Sequence, residues 1–538
     1  MGRTQWEGDR HGANAEEFFE GCGLVALGAG ALTGAAGLTG CAAASTPSAF
    51  ETKHECDVVV AGAGIGGLAA AVSAAEQGAN VVLVEASKHV GGTSRFAAGA
   101  FGPRFGAEWE AAYAKAPLSD PELGKFVCDN WSSYLEWIEG LGMTTEELAA
   151  GSPYVWMGGK RPTEEGSKSY TDEYLQQFGE VFAQKGGTTL LETRAKKLVT
   201  DEAGTVVGLI AEDAEGAFEI KAKSVILATG GWQCDKEMCT KYIGRHADLG
   251  MAQCVPYLDG SGIKMGVEVG AQLSRSFGSF YGHPQPWPMT YLEGVDTPEG
   301  YEAVENVDDV HVLYYGTTGH SIQSMGVYVN TDGERFVNEG LGSSLVNQEI
   351  MQQHMARAYL ILDEGVRDII RATPFCNAAV IGGDRIDHMI ELGMTVVQAD
   401  SLEDLGAKIV SDTADGVSFN AANMVATVNA YNEAAAAGTA AALPVPHQGT
   451  VPATALTTPP FYAIPMVGGI MATFGGLKIN LDTQVIGTDA LPIKGLYAVP
   501  GAAGGIMNGD YWCVMSGYSI LGRTAGQVSA ASAQEAQK

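Results

Sequence analysis

The 538-residue sequence predicts an α/β fold built on a Rossmann-like dinucleotide-binding domain. Three observations carry the prediction. The run Val58-Val59-Val60-Ala61 opens directly into the glycine turn "GAGIGG" at 62–67. A second run, Val81-Val82-Leu83-Val84, ends on Glu85. Strand-into-glycine-turn endings then recur at 225–231 and 493–505.

Short apolar runs of this kind form parallel strands buried on both faces. Gly62, Gly64 and Gly67 fit G-x-G-x-x-G, with Gly66 inside it, but in a chain of 72 glycines the spacing alone is weak. The context decides. Residues 68–77 are rich in alanine and read as a helix that stops at Gly78. The acid Glu85 closes the next strand about 20 residues beyond the glycines, where a ribose-binding carboxylate is required. In that arrangement Gly62 permits the tight turn and Gly64 lets the backbone approach a pyrophosphate. Gly67 lets helix and strand pack closely, and the helix N-terminus offers N–H groups to the phosphates. Glu85 can accept both ribose hydroxyls.

Past Glu85 come Ala86 and then Gly91-Gly92-Thr93-Ser94, followed by Ala98-Gly99-Ala100. A nicotinamide enzyme has no need of a second glycine pair there. A longer cofactor does, one whose isoalloxazine ring reaches along the sheet edge, so the expected group is FAD. The hairpin-like stretch at 199–224 leads into Ala228-Thr229-Gly230, a second tight turn. The formal charge of -31, from 63 acidic against 32 basic residues, argues against nucleic-acid binding. A mean hydropathy of +0.03 is too low for a polytopic membrane protein.

The N-terminus reads as separate from the fold. Residues 24–38 are apolar, short and glycine-rich, which suits a signal segment better than a spanning helix. They run into Leu38-Thr39-Gly40-Cys41, a bacterial lipobox pattern with Cys41 as the lipidated residue. The expected divisions are 1–41 as the signal and lipobox segment and 42–51 as a linker. The expected location is an outward-facing lipoprotein of the cell membrane. One feature disagrees: Glu16-Glu17 precede Phe18-Phe19, where a twin-arginine signal would carry its arginines. Cys234-x4-Cys239, with Cys254 further on, invites an iron–sulfur reading but lacks the close third cysteine. Buried or surface thiols are the expectation, and no metal site is expected.

The chain resembles the flavoprotein subunits of fumarate reductase and succinate dehydrogenase and their relatives. Those relatives include urocanate reductases, ketosteroid dehydrogenases, and reductases of enoates, enones and the butenolide of cardiac glycosides. The resemblance runs over about residues 52–530. It is carried, in order, by the glycine fingerprint, "GGTS", "ILATGG", "GSGIKMG" and Gly282-His283-Pro284. "VYVNTDGERFVNE", "PPFYAIP", "FGGLKIN" and "GLYAVPG" follow. It implies an FAD-binding domain split in sequence, at 52–284 and 461–538, around an inserted α+β capping domain at 285–460. It also implies a hydride carried by flavin N5, and it adds Ala195, Ser261 and Gly501 to the cofactor-binding set.

The departures from the family are as informative. Where the fumarate enzymes keep an acid arginine, the match puts Ser343, and the expected Glu and Arg relay is absent from "TGHSI" at 318–322. Met471-Ala472 stand where a histidine is expected, and no arginine follows "AAGG"; of the polar clamp only His283 survives. Burying a dicarboxylate without paired cations costs several kcal/mol per charge. The clamp is replaced by Trp287, Tyr291, Tyr314, Tyr315, Met471, Phe474, Tyr511 and Trp512. That lining suits a flat, uncharged, unsaturated substrate with one polarised carbonyl.

Tyr511 is the first candidate for handling the carbonyl and the proton, with Tyr315 and His283 behind it. Electrons would come from an external cytochrome or quinol donor. Two alternatives stay open: dehydrogenation of a 3-ketosteroid by the same geometry, and a non-catalytic flavin-binding relay lipoprotein. The missing arginine relay and Pro500, which stands where the family usually has glycine, favour the second.

Overall fold

The structure is a computed structural model describing residues 50–535, except 98, 105, 115, 159–169, 288–324, 373–383, 392, 413–416, 450, 510 and 513. The chain divides into two compact units, Met1–Ala44 and Ser45–Lys538, and all described residues belong to the second. The expected lipobox segment lies outside them. Among the described residues no helix is long and apolar enough to cross a membrane.

The main sheet has eight strands. Its parallel centre runs Pro492–Ala498, Gly216–Leu227, Thr52–Ala61, Val81–Val84 and Thr188–Leu190, side by side. Val58, Val59, Val60 and Ala61 are fully buried, as apolar residues of a parallel strand covered on both faces should be. The order explains why the fold is split in sequence. Strand Pro492–Ala498 joins the sheet beside Gly216–Leu227, with Leu496 paired to Val225, so the C-terminal segment completes what the first 230 residues begin.

Helix Val514–Glu535 then lies across helix Ile65–Glu76. The approach is close because both faces are small: a Cβ on Gly522 would meet the Gly66 carbonyl oxygen at 2.2 Å, and one on Gly526 the Ala70 oxygen at 2.2 Å.

A second, five-stranded sheet is antiparallel throughout: Gln285–Pro286, Phe461–Val467, Arg357–Asp363 and Val327–Val329, with Val397–Ala399 also on Phe461–Val467. Helices Glu364–Ala372, Leu402–Asp412 and Ala421–Ala436 accompany it, and it has its own core, including Tyr328, Leu360, Leu405 and Tyr431. This is the α+β capping domain inserted in the Rossmann-type fold. Strand Phe461–Val467 pairs inside this sheet, so we place the end of the cap after Val467 rather than at 460. Two short ladders join the parts: Met251–Ala252 with Gly469–Ile470, and Phe280–Tyr281 with Ala472–Thr473.

One buried ionic knot fixes the loop that leads to Ser343. The Glu339 carboxylate is fully buried; it accepts from Arg335 Nη2 at 2.6 Å and from the Tyr328 N–H at 3.1 Å. His447 Nδ1 lies 3.3 Å away and the Tyr431 hydroxyl 3.2 Å from the same nitrogen. Burial pushes the Glu339 carboxyl up, but hydrogen bonds from His447 and Arg335 push it further down, so its pKa falls below the ordinary value. A depressed carboxylate contributes stability that is present above its unfolded pKa and lost as pH falls through the folded one. Glu339→Gln should therefore lower stability at pH 7 by about 3–5 kcal/mol, the cost of leaving one charge of a buried pair uncompensated. The gap to wild type should narrow as the pH is taken below the usual carboxylate range, which denaturant midpoints across pH will check.

Candidate active site

The glycine turn is built as its spacing demands. Gly62 has φ +105°, and a Cβ there would lie 2.3 Å from the Ala228 carbonyl oxygen. A Cβ on Gly67 would come within 1.9 Å of the Gly62 oxygen. Only glycine lets this helix sit so tightly on the two adjoining strand ends. The turn opens onto a cavity of about 520 Å³.

Gly62, Gly64, Gly66 and Gly67 line the cavity, as do Glu85 and Ala86 from the end of the second strand. Gly92, Thr93, Ser94 and Ala100 add a second wall; Ala195, Ala228, Thr229, Gly230 and Ser261 add a third. Gly91, Gly99 and Gly501, expected at the cofactor, do not line the cavity. They turn the chain behind it at φ +112°, +88° and +99°. Ala98 lies outside the described residues.

Glu85 is 7% exposed and ties two segments together: its Oε2 accepts from the Ala63 N–H at 2.7 Å and its Oε1 from the Ser87 N–H at 2.9 Å. A carboxylate at this position, at the end of the second strand, is the group that accepts ribose hydroxyls in a dinucleotide site. Thr229 Oγ1 is buried on the cavity wall and has no hydrogen-bond partner among the described residues. A buried orphan hydroxyl at a polar, roomy wall fits a bound polar group. These features, with the N-terminus of helix Ile65–Glu76, where the Gly64 cap makes no side-chain hydrogen bond and the Ile65 N–H donates to Ser94 Oγ at 3.3 Å, fit a dinucleotide. Pro500 lines the wall without disturbing it, because strand pairing ends one residue earlier, where the Val499 N–H donates to Leu227.

Another part of the wall is apolar and aromatic. Tyr281, Met471, Ala472, Tyr511 and Trp512 all line it. The rings of Tyr281 and Tyr511 lie 4.3 Å apart between centroids, tilted by 38°. Tyr281 was not singled out from sequence, although residues two apart on an extended chain share a face and His283 was. His283 itself is buried at 2% exposure and does not line the cavity. Its Nε2 lies 3.0 Å from the Tyr281 hydroxyl and its Nδ1 3.0 Å from Ser343 Oγ. So the structure brings Tyr511, His283 and Ser343 into one neighbourhood, with Tyr281 as the missing link.

Phe474 packs in the core instead of lining the cavity, and Trp287 lies under the Arg357 guanidinium at 4.7 Å. Tyr291, Tyr314 and Tyr315 lie outside the described residues, as does the 318–322 segment. The basic side chains among the described lining residues are Arg104 and Arg194, and Arg194 is paired with Asp259. Beside Arg104, the Tyr154 hydroxyl donates to Glu108 at 2.9 Å; burial and that bond push its pKa up to about 12. The thiols of Cys234 and Cys254 approach to 3.6 Å, while Cys239 turns toward the Trp232 and Gln233 carbonyls.

The FAD binding domain family matches residues 57–512. The chain belongs to that family. Its cofactor is FAD, and it is an FAD-dependent oxidoreductase. A probable fumarate reductase of Shewanella frigidimarina is 27% identical over 484 residues, 87% of this chain and 72% of that protein. A urocanate reductase of Eggerthella lenta is 27% identical over 509 residues, covering 89% and 75%. A digoxin reductase of Eggerthella lenta is 25% identical over 582 residues and covers 95% of both chains.

Among solved structures, the open conformation of a flavocytochrome c3 fumarate reductase has a TM-score of 0.64 at 23% identity, covering 90% of this chain and 79% of that one. A 3-ketosteroid Δ1-dehydrogenase from Sterolibacterium denitrificans reaches 0.67 at 18% identity, covering 89% and 100%. Both likenesses establish the fold.

Gly67→Val should yield protein without flavin, because its Cβ collides with backbone that cannot move aside. Gly140→Ala, where a Cβ meets nothing within 4 Å, should retain it. The ratio of flavin absorbance to protein after purification checks both.

Proposed function

We propose that this chain is an extracytoplasmic reductase that saturates an activated C=C bond in a flat, largely uncharged substrate such as an enone or an unsaturated lactone. The observation that carries the reading is the Tyr281, Met471, Ala472, Tyr511 and Trp512 lining, set where a dicarboxylate would need paired cations. FAD, when bound here and reduced by an external cytochrome or quinol donor, would supply hydride chemistry at the β-carbon. The protein's part is to hold the alkene flat, keep water away and polarise the carbonyl. The Tyr511 hydroxyl is suited to donate to the carbonyl oxygen and so stabilise the enolate that develops. Protonation of the α-carbon completes the reduction.

Fumarate and succinate fit poorly, since each needs two buried carboxylates paired. The relatives named for urocanate, vinyl phenol and digoxin support a branch whose substrates vary around one reaction. Arg104 on the cavity wall favours a second reading within the same chemistry, a monocarboxylate enoate. A lipid anchor at Cys41 would place the enzyme on the outer face of the membrane.

The test is anaerobic. Residues 42–538 with bound flavin, reduced by dithionite, should be reoxidised by a butenolide glycoside or a 4-ene-3-ketosteroid and not by fumarate. Reoxidation by fumarate contradicts the reading; reoxidation by cinnamate alone favours the enoate. Reoxidation by nothing in the panel favours a flavin-binding relay protein. Tyr511→Phe should slow reoxidation by the preferred acceptor about 10²-fold, in line with loss of one oxyanion donor.

A further inference from the structure

Behind the cavity wall runs a line of three side chains that the proposed role of Tyr511 leaves unused. Tyr281 lines the cavity, and its hydroxyl lies 3.0 Å from His283 Nε2; His283 Nδ1 lies 3.0 Å from Ser343 Oγ. The line is held rigidly. Tyr281 is fixed by the ladder to Ala472, and the Met471 N–H donates to its carbonyl at 2.7 Å. The His283 N–H donates to Gln253 Oε1 at 2.9 Å.

Gly282, between them, lies so close to Gly469 that a Cβ would meet its oxygen at 2.0 Å. The helix Ser343–Ile350 grips the same Gly469: Asn347 Nδ2 donates to its oxygen at 2.7 Å, and its N–H donates to Asn347 Oδ1 at 2.8 Å. Tyr281, His283 and Ser343 are thus referenced to one peptide. At the outer end Ser343 is 5% exposed, and its chain neighbours Gly342 and Ser344 are half-buried.

We propose that Tyr281 is the residue that protonates the α-carbon, and that His283 and Ser343 resupply its proton from solvent. This rests on the C=C reductase reading above. The directions are consistent with one histidine tautomer: Ser343 O–H donates to Nδ1, and Nε2–H donates to the Tyr281 oxygen, so that the Tyr281 O–H is directed away from the histidine. As the hydride arrives at the β-carbon, the bond between Tyr281 oxygen and its proton breaks and a C–H bond forms at the α-carbon.

The phenolate takes the Nε2 proton, Nδ1 takes the Ser343 proton, and Ser343 takes one from water. One hydride and one proton are consumed per alkene, and no charge is left in a dry cavity, where an unpaired ion is costly. His283 and Ser343 act through Tyr281 and touch no substrate. They stand in for the arginine and acid relay that the sequence lacks.

The experiment uses the full holoprotein and the acceptor that reoxidises the wild type fastest, followed by stopped flow after stoichiometric reduction. Tyr281→Phe should slow that single turnover about 10²-fold or more, as removal of a positioned acid does. Ser343→Ala and His283→Gln should slow it about 10-fold or more and change the solvent deuterium isotope effect; Ser343→Thr, which keeps the hydroxyl, should restore the rate.

Binding of the saturated product, read from the spectrum of the oxidised flavin, should change less than about twofold in every variant, within ordinary surface-level effects. The relay is overturned if His283→Gln and Ser343→Ala react as fast as wild type. It is also overturned if Tyr281→Phe loses product binding in proportion to rate, which marks a binding residue. If no activated alkene reoxidises the wild type, the reductase reading fails and the relay with it, an outcome distinct from loss of the relay alone.

Discussion

The contact on which the site depends is the backbone approach of helix Val514–Glu535 to helix Ile65–Glu76, glycine against glycine at Gly522 and Gly66. Nothing larger fits there. That contact returns the end of the chain to its beginning and brings Tyr511, Trp512, Met515 and Tyr518 to the same cavity as the glycine fingerprint. The parallel pairing of Pro492–Ala498 with Gly216–Leu227 sets the same register from the other side. The glycine fingerprint at 62–67 and the wall from Tyr511 to Tyr518 therefore face one cavity. The capping sheet, inserted between them, is free to differ from the relatives without disturbing the flavin.

The chemistry follows from what the wall lacks as much as from what it carries. A reductase for dicarboxylates is organised by cations, whose burial must be matched charge for charge. Among the described residues, Arg335 with Glu339 and Arg367 with Asp384 are drawn into knots that serve the fold, while Arg104 and Arg194 stay on the cavity wall. The part of the wall around Tyr281, Met471 and Tyr511 keeps hydroxyls and apolar surface. Hydroxyls can polarise a carbonyl and pass a proton while imposing little desolvation on a neutral ligand.

Much of the cofactor half was legible in the sequence, because it is local. The run 58–61, the glycines and Glu85 lie within thirty residues, and each is required by a backbone position that few other residues could fill. The substrate half was legible in part, as missing arginines and histidine and as Met471, Tyr511 and Trp512, all three of which line the cavity. Tyr281 gave no signal of its own: its partners are His283, two residues on, and Tyr511, brought over by the split fold, and the line reaches Ser343 only through the cap. The 3.6 Å approach of Cys234 to Cys254 was hidden in the same way, since no spacing rule predicts a contact made by two loops. Gly91, Gly99 and Gly501 were read as cofactor contacts from the motifs they sit in; in the structure they turn the chain at positive φ and do not line the cavity.

A crystal structure of the oxidised holoenzyme with a saturated lactone or ketone product would test the central claim most directly. The account predicts the ligand carbonyl oxygen within hydrogen-bonding distance of the Tyr511 hydroxyl, and the α-carbon facing the Tyr281 hydroxyl, in a wall otherwise apolar. A ligand seated against Arg104, with both tyrosine hydroxyls turned away from it, would contradict the account.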